Sequence, residues 1–226
     1  MRYPGNMKTL RVAWSSTHQE FLITDSYYFS ILAKESQKNG IVIEEVPVFT
    51  ELFCYDVVIF NYPEKPFNKE EIELIKKSVV EEGKRVLFTA HFQNKDNVAK
   101  ICSKVSRHFG LLVLPEEVFD DVNHIADDPY IVPTSRVFTY NNGVKEVVFP
   151  YSAPLELLDE AKVILRGMET TITRKGKTSP VLVAEKNFPS GGSFALSGSC
   201  IFWDNYSITK ADNLRFALNL IKGPLK

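Results

Sequence analysis

Over the first 110 residues, short apolar runs alternate with longer stretches whose apolar residues recur at helical spacing. Runs of the first kind predict strands, and stretches of the second kind predict amphipathic helices. Residues 10–14 (Leu-Arg-Val-Ala-Trp) predict a first strand that ends in the polar loop Ser15-Ser16-Thr17-His18. A helix is expected from Thr24 or Asp25, both good N-caps, through Tyr28, Ile31, Leu32 and Ala33 to the Asn39-Gly40 stop. Residues 41–46 and 55–60 predict the second and third strands, and the Val-Val-Ile-Phe run of the third suits a strand covered on both faces. The link between them is too short for a crossover helix, so a single helical turn is expected over 49–53. Asn68 caps a helix over 69–82 that turns Ile72, Leu74, Ile75, Val79 and Val80 inward and stops at Gly83. Residues 85–90 predict a fourth strand, reached through that helix by a parallel right-handed crossover. The chain then passes through His91-Phe92-Gln93-Asn94 straight into a helix beginning near Lys95, whose amphipathic pattern runs over 97–109 and closes at Gly110.

The second half has a different texture. Residues 111–130 are acidic and irregular, with Glu116, Glu117, Asp120, Asp121, Asp127 and Asp128 around His124. Residues 137–140 and 146–149 are expected to pair as a hairpin across Asn141-Asn142-Gly143. Further strands are expected over 161–165, 181–185 and 193–197, the last two joined by a turn over 187–192, before a terminal helix over 211–221. The expectation is one α/β domain over 1–226. It has three layers, a mostly parallel, flavodoxin-like sheet with helices on both faces, and a β-rich C-terminal half. Residues 1–6 read as a dispensable extension, with Met1 and Met7 both open as the start.

Composition narrows the function classes. A net charge of −1 makes no electrostatic case for nucleic acid or an anionic membrane. No apolar run approaches a membrane span, so no direct membrane insertion is expected. Cys54, Cys102 and Cys200 are too few and too irregularly spaced for a disulfide framework, and they read as buried structural thiols in a reducing cytosol. Few Gln and Met beside many Glu and Lys lean toward a thermophilic source.

Candidate chemistry gathers at strand ends. In an open α/β sheet, ligands bind in the crevice outside the carboxyl ends of the strands. That rule selects Ser15, Ser16 and His18 after the first strand, Asn61 and Tyr62 after the third, and His91, Gln93 and Asn94 after the fourth. Trp203, beside Asp204 and Asn205, follows the last strand and is a candidate lining of the same crevice. The carboxylates around His124 lack calcium-loop spacing and read as solvated charge, so no metal is expected. Gly191-Gly192 and Ser197-Gly198-Ser199 lack phosphate-loop order and read as a turn and a strand end, so no cofactor is expected either. The basic tip Arg174-Lys175-Gly176-Lys177 is too small for a nucleic-acid surface.

One set of short motifs carries a family resemblance. Pro-x-x-x-Glu-Glu-x-x-x-Ile-x-x-x-Val-x-x-x-Gly spans Pro66 to Gly83 and leads into an apolar strand. A helix ending in Phe109-Gly110 follows, then an aspartate-rich segment from Val118 to Asp128. The last motifs are Gly-Gly-Ser-Phe-Ala-Leu-Ser-Gly-Ser at 191–199, Asp204, and Asn-Leu-Arg-Phe-Ala-Leu-Asn-Leu-Ile from Asn213 to Ile221. The pattern resembles the class I glutamine-amidotransferase-like superfamily in its non-catalytic branch. That branch includes domains of gliding-motility ABC-transporter accessory proteins and of intraflagellar-transport proteins. The resemblance implies an amidotransferase-like sheet without its chemistry. Catalytic members carry a cysteine on the strand-to-helix elbow and a late His-x-Glu pair. Here the elbow falls near His91, between Ala90 and Phe92, and no histidine follows His124.

Two function classes follow. The first is a non-catalytic domain that binds a small polar ligand or a protein partner, such as a transporter-associated scaffold, with no catalytic residues. The second is a hydrolase or lyase of altered chemistry in which His91 and His18 act together in the strand-end crevice. Oligomeric state is left open.

Overall fold

A computed structural model describes residues 9–224. The expected extension over 1–6 and the choice between Met1 and Met7 lie outside the described residues. In chain order, the first half comprises β1 (Leu10–Ser15), α1 (Ser26–Lys38), β2 (Ile41–Val46), β3 (Val57–Asn61), α2 (Lys69–Val80), β4 (Arg85–Thr89) and α3 (Val98–Ser106). The second half adds β5 (Leu111–Val113), β6 (Val118–Phe119), β7 (Ile131–Thr134), β8 (Val147–Pro150), β9 (Leu155–Leu157), β10 (Lys162–Arg166), β11 (Ile172–Thr173), β12 (Val181–Asn187), β13 (Ser193–Ser197) and α4 (Asn213–Lys222).

Local chemistry explains the helix starts. The Asp25 carboxylate accepts from the Tyr27 amide ahead of α1. At α2, Asn68 accepts from the Glu71 amide while Glu71 accepts from the Asn68 amide at 2.8 Å each, a reciprocal capping box. The expected helical turn after β2 is a 3₁₀ segment, Phe49–Cys54.

The main sheet runs β2-β1-β3-β4-β13-β12-β9-β5, with β10 also paired to β12. Its first five strands are parallel, and β3 and β4, joined through α2, are in register from Val57↔Arg85 to Asn61↔Thr89. The sheet then reverses: β13 returns to β12 as an antiparallel hairpin, and β9 and β5 continue antiparallel. The structure is therefore α/β, with a largely parallel central sheet and a β-rich C-terminal part. Alternate residues of each central strand enter two cores. Ala13, Phe60, Phe88 and Phe194 pack with α2 and α3 on one face. Trp14, Ile59, Leu87 and Ala195 pack with α1 and α4 on the other.

At the free side of β5, α3 covers the edge. The Ser103 hydroxyl bonds both the amide and the carbonyl of Val113, and the Ser106 hydroxyl donates to the Leu111 carbonyl at 2.7 Å. Backbone groups that a neighbouring chain would otherwise use are thus taken.

Three expectations need correction. The hairpin across Asn141-Asn142-Gly143 does not form. A turn is present, with the Val144 amide donating to the Asn141 carbonyl, but β8 pairs with β7, from Ile131↔Pro150 to Thr134↔Val147. Val137 bridges to Leu165 instead. The fourth strand does not run straight into a helix either. Gln93, Asn94, Asp96 and Asn97 all have φ between 50° and 62°, so a left-handed segment precedes α3. The acidic stretch is not simply solvated: Glu117 pairs with Arg174, and Glu116 with Lys175 at 2.7 Å, pinning it to the basic tip.

Candidate functional site

The parallel strands β1, β3, β4 and β13 end side by side at Ser15, Asn61, Thr89 and Ser197. His91 stands two residues past β4, only 8% exposed. Aromatic rings surround it: Tyr62 at 5.7 Å, Phe92 at 4.9 Å and Tyr151 at 6.1 Å between centroids. Its Nδ1 is buried with no hydrogen-bond partner among the described residues. Burial, followed by the positive charge of Lys95, lowers the imidazole pKa to about 4, so the ring is neutral at pH 7.

Asn61 lies fully buried. Its Oδ1 accepts from the Thr89 hydroxyl at 2.8 Å and from the Trp203 indole at 3.2 Å, and its Nδ2 has no partner among the described residues. Tyr62 takes a left-handed φ of 62°, its amide bonds to Thr89, and its hydroxyl donates to Asp96 at 2.6 Å. Burial and that acceptor push the phenol far above its ordinary value. Asn61 and Tyr62 thus meet on Thr89, and the Tyr62 ring faces His91.

His18 does not join them. Its ring stacks on Phe67 at 3.8 Å, with Phe49 and Phe60 edge-on. Nδ1 bonds Thr17 at 2.7 Å, Nε2 lies 3.4 Å from Glu71, and the His18 carbonyl accepts from Glu64 and Lys65. The side chain fastens the loop after β1 to the start of α2. Among the described residues, His18 and His91 share no hydrogen-bond or ring partner. Ser15 is buried and spends its hydroxyl on Thr17, and the Ser16 amide donates to Val46. The Gln93 amide donates to the Glu116 carbonyl while its side chain is exposed. Asn94 accepts from the Lys100 amide and lines a different cleft, beside α3.

Of the residues after β13, Trp203 reaches the site through Asn61, and burial raises the Asp204 carboxyl to about 6. Asn205 instead braces the first turns of α1, with Oδ1 accepting from the Ile31 amide and Nδ2 donating to the Ser26 and Tyr27 carbonyls. Cys102 and Cys200 are buried, and burial pushes both thiols well above their ordinary value. Cys54 is exposed, against the expectation of three buried thiols. No group of three or more His, Cys, Asp or Glu side chains is placed to hold a metal among the described residues. Nor, among them, is any helix long and apolar enough to cross a membrane.

Aromatic residues from distant segments complete the rim, and sequence spacing did not mark them. Phe21 lies 4.9 Å from Tyr62 and 5.5 Å from Tyr28, which meets Tyr27 at 4.9 Å. On the far side Tyr151 and Phe92 meet Tyr130. Tyr27 and Tyr28 are exposed, so the ring series runs from the buried imidazole to the surface. Two buried polar atoms without a partner among the described residues, Asn61 Nδ2 and His91 Nδ1, belong to this site. The other such atoms among the described residues are on Glu20, Ser36 and Ser207, farther from the strand ends along the chain.

No family model matches the chain. Among solved structures, the mmIFT52 N-terminal domain is similar with a TM-score of 0.80, covering 95% of this chain and 99% of that one. At 15% sequence identity, that likeness shows the fold. A protein of Aquifex aeolicus (strain VF5), described as an uncharacterized protein, is 42% identical over 222 residues, which cover 95% of this chain and 94% of that one. With that identity across nearly the whole of both chains, this chain belongs to the family of the Aquifex aeolicus protein.

Proposed function

We propose that this chain is a non-catalytic binding domain of amidotransferase-like fold. It holds a partner side chain or a small polar ligand in the crevice outside β1, β3, β4 and β13. The observation that carries this reading is the pair of partnerless buried polar atoms at the ends of β3 and β4, Asn61 Nδ2 and His91 Nδ1. Buried polar groups are nearly always satisfied, and a group left open at the mouth of a sheet suits a ligand that supplies the missing bond. His91 Nδ1 and Asn61 Nδ2 are the two polar anchors, and Tyr62, Phe21 and Tyr151 are the apolar walls.

Support for a non-enzymatic role comes from the charge states. Both thiols nearest the strand ends are held protonated, whereas a thiolate is the form that attacks an amide. The imidazole, with its proton affinity depressed, is a poor general base. The sequence resemblance to intraflagellar-transport and gliding-motility transporter-accessory domains, with the fold shared by the mmIFT52 N-terminal domain, favours a scaffold that works by association. This reading takes 1–226 as one cytosolic domain.

The test is a thermal-shift screen of amino acids, sugars, nucleotides and divalent metals, run on the wild type, His91→Ala and His18→Ala. A stabilising compound whose effect disappears in His91→Ala and persists in His18→Ala supports the crevice. Release of ammonia from glutamine by the wild type, lost in Cys200→Ser, would overturn the non-catalytic reading.

A further inference from the structure

Along the outer face of α3 and the 3₁₀ turn that follows it, Lys100, Lys104 and Arg107 keep i, i+4, i+7 spacing, and residues 98–109 contain no Asp or Glu. Some lysines elsewhere are in ion pairs, among them Lys38 with Glu35, Lys76 with Glu73, Lys77 with Glu82 and Lys186 with Asp159. Among the described residues, none of the three α3 cations is in an ion pair, and Lys104 donates to the Phe67 carbonyl at 3.1 Å.

These cations border an open cleft of about 1080 Å³. Pro66, Ile101, Leu112, Leu114 and Pro115 supply apolar walls, and Glu64 is the one acidic residue of the lining. The lining includes Asn94 and Asn97 but neither His91 nor Asn61, so this is a separate site from the crevice. Its volume is slightly above the range for small-molecule pockets, about 300–1,000 Å³, and it is open along the helix, a shape suited to a chain segment. Strand addition is blocked because Ser103 and Ser106 already occupy the β5 edge, so an occupant must bind through side chains.

We propose that this cleft docks an acidic, apolar segment of a partner protein. Its carboxylates would sit on Lys100, Lys104 and Arg107, and its apolar side chains would cover Leu112, Leu114 and Pro115. Charge complementarity selects the partner: three unpaired cations around an apolar floor attract an anionic segment and repel a basic one.

Fluorescence anisotropy on the full chain tests this, with a fluorescein-labelled peptide alternating glutamate with leucine as the probe. Saturable binding is expected, weakened about ten-fold or more in the Lys100→Glu/Arg107→Glu double variant and weakened by added salt. Both positions are exposed, Lys100 on α3 and Arg107 just past its end, so the variant should keep its wild-type melting temperature. Leu114→Ser should also weaken binding while keeping the salt dependence. A peptide with lysine in place of glutamate should not bind. Failure to saturate, equal affinity for a glutamine-for-glutamate peptide, or unchanged affinity in the double variant would overturn the proposal. So would a wild-type dimer in sedimentation that the double variant dissociates, because the occupant would then be a second copy. His91→Ala should leave peptide affinity unchanged, which separates this site from the crevice.

Discussion

The Arg85 guanidinium forms an ion pair with Glu185 inside the protein, and Glu185 is fully buried. The other Glu185 oxygen accepts from the Tyr140 hydroxyl at 2.6 Å, and Arg85 also donates to Ser193 and to the Leu220 carbonyl near the end of α4. One cation therefore ties β4, β13, β12, α4 and the loop before β8. Removing one partner of such a pair strands a buried charge at about 3–5 kcal/mol. Glu185→Gln is expected to lose that much in urea unfolding. An Arg85→Met/Glu185→Leu double variant should recover most of it, which a purely additive pair of losses would not.

Stability should respond to pH through two opposed groups. His91 has its folded pKa depressed to about 4, so the unfolded chain takes up its proton first. Its contribution is present above about pH 6.5 and is lost as pH falls toward 4, on the order of 3 kcal/mol in full. Asp204 has its folded pKa raised to about 6, so its contribution is present below about pH 4 and is lost as pH rises through 6, again on the order of 3 kcal/mol. Between pH 4 and 6.5 the two slopes largely cancel. Unfolding free energies should therefore fall on acidification in Asp204→Asn and rise on acidification in His91→Gln. Parallel slopes in the two variants would refute the assignment.

The glycines near the last strand are packing requirements. A Cβ at Gly192 would stand 2.0 Å from the Val79 carbonyl oxygen, and one at Gly198 would stand 2.0 Å from that of Ala153. Both contacts are with backbone, which cannot swing away. Gly192→Ala and Gly198→Ala should each cost about 2–4 kcal/mol, visible as a lower urea midpoint. Gly191→Ala faces open space but has φ of 86°, so it should cost less, about 1 kcal/mol.

Thiol chemistry should divide the cysteines. Cys54 is exposed, whereas Cys102 and Cys200 are buried and held protonated. An aromatic disulfide reagent should titrate one thiol in the native protein and the other two only in denaturant. A second fast thiol that disappears in Cys200→Ser would show that the strand-end crevice is more open than described.

The first half of the fold was legible because its signals are local. Asn68 and Glu71 satisfy each other three residues apart, and Val57 to Asn61 is apolar enough to need cover on both faces. The β7–β8 pair was not legible. Its turn at Asn141 is present, but the partner strand lies upstream of the apparent hairpin and contains Pro133, which argues against a strand by composition. Proline is tolerated there because β7 pairs on one side only. At the site, the strand-end rule selected Asn61 and Tyr62, which meet on Thr89, and His91, which faces the Tyr62 ring. It also selected His18, whose ring turns to Phe67, a choice made by packing that no strand-end rule contains. Phe21, Tyr130 and Tyr151 reach the imidazole only through tertiary structure, and no local signal points to them.

The position of β13 sets an order of events during synthesis. Arg85 and Ser193 are neighbours in the sheet but lie 108 residues apart in the chain. Until residue 197 has left the ribosome, β4 has no neighbour on its β13 side, and that strand is buried along its length in the finished fold. A nascent chain must carry this open edge through the synthesis of nearly half its length, at risk of pairing with another copy. The last strand to be made therefore closes the middle of the sheet, and fragments that stop before it should aggregate.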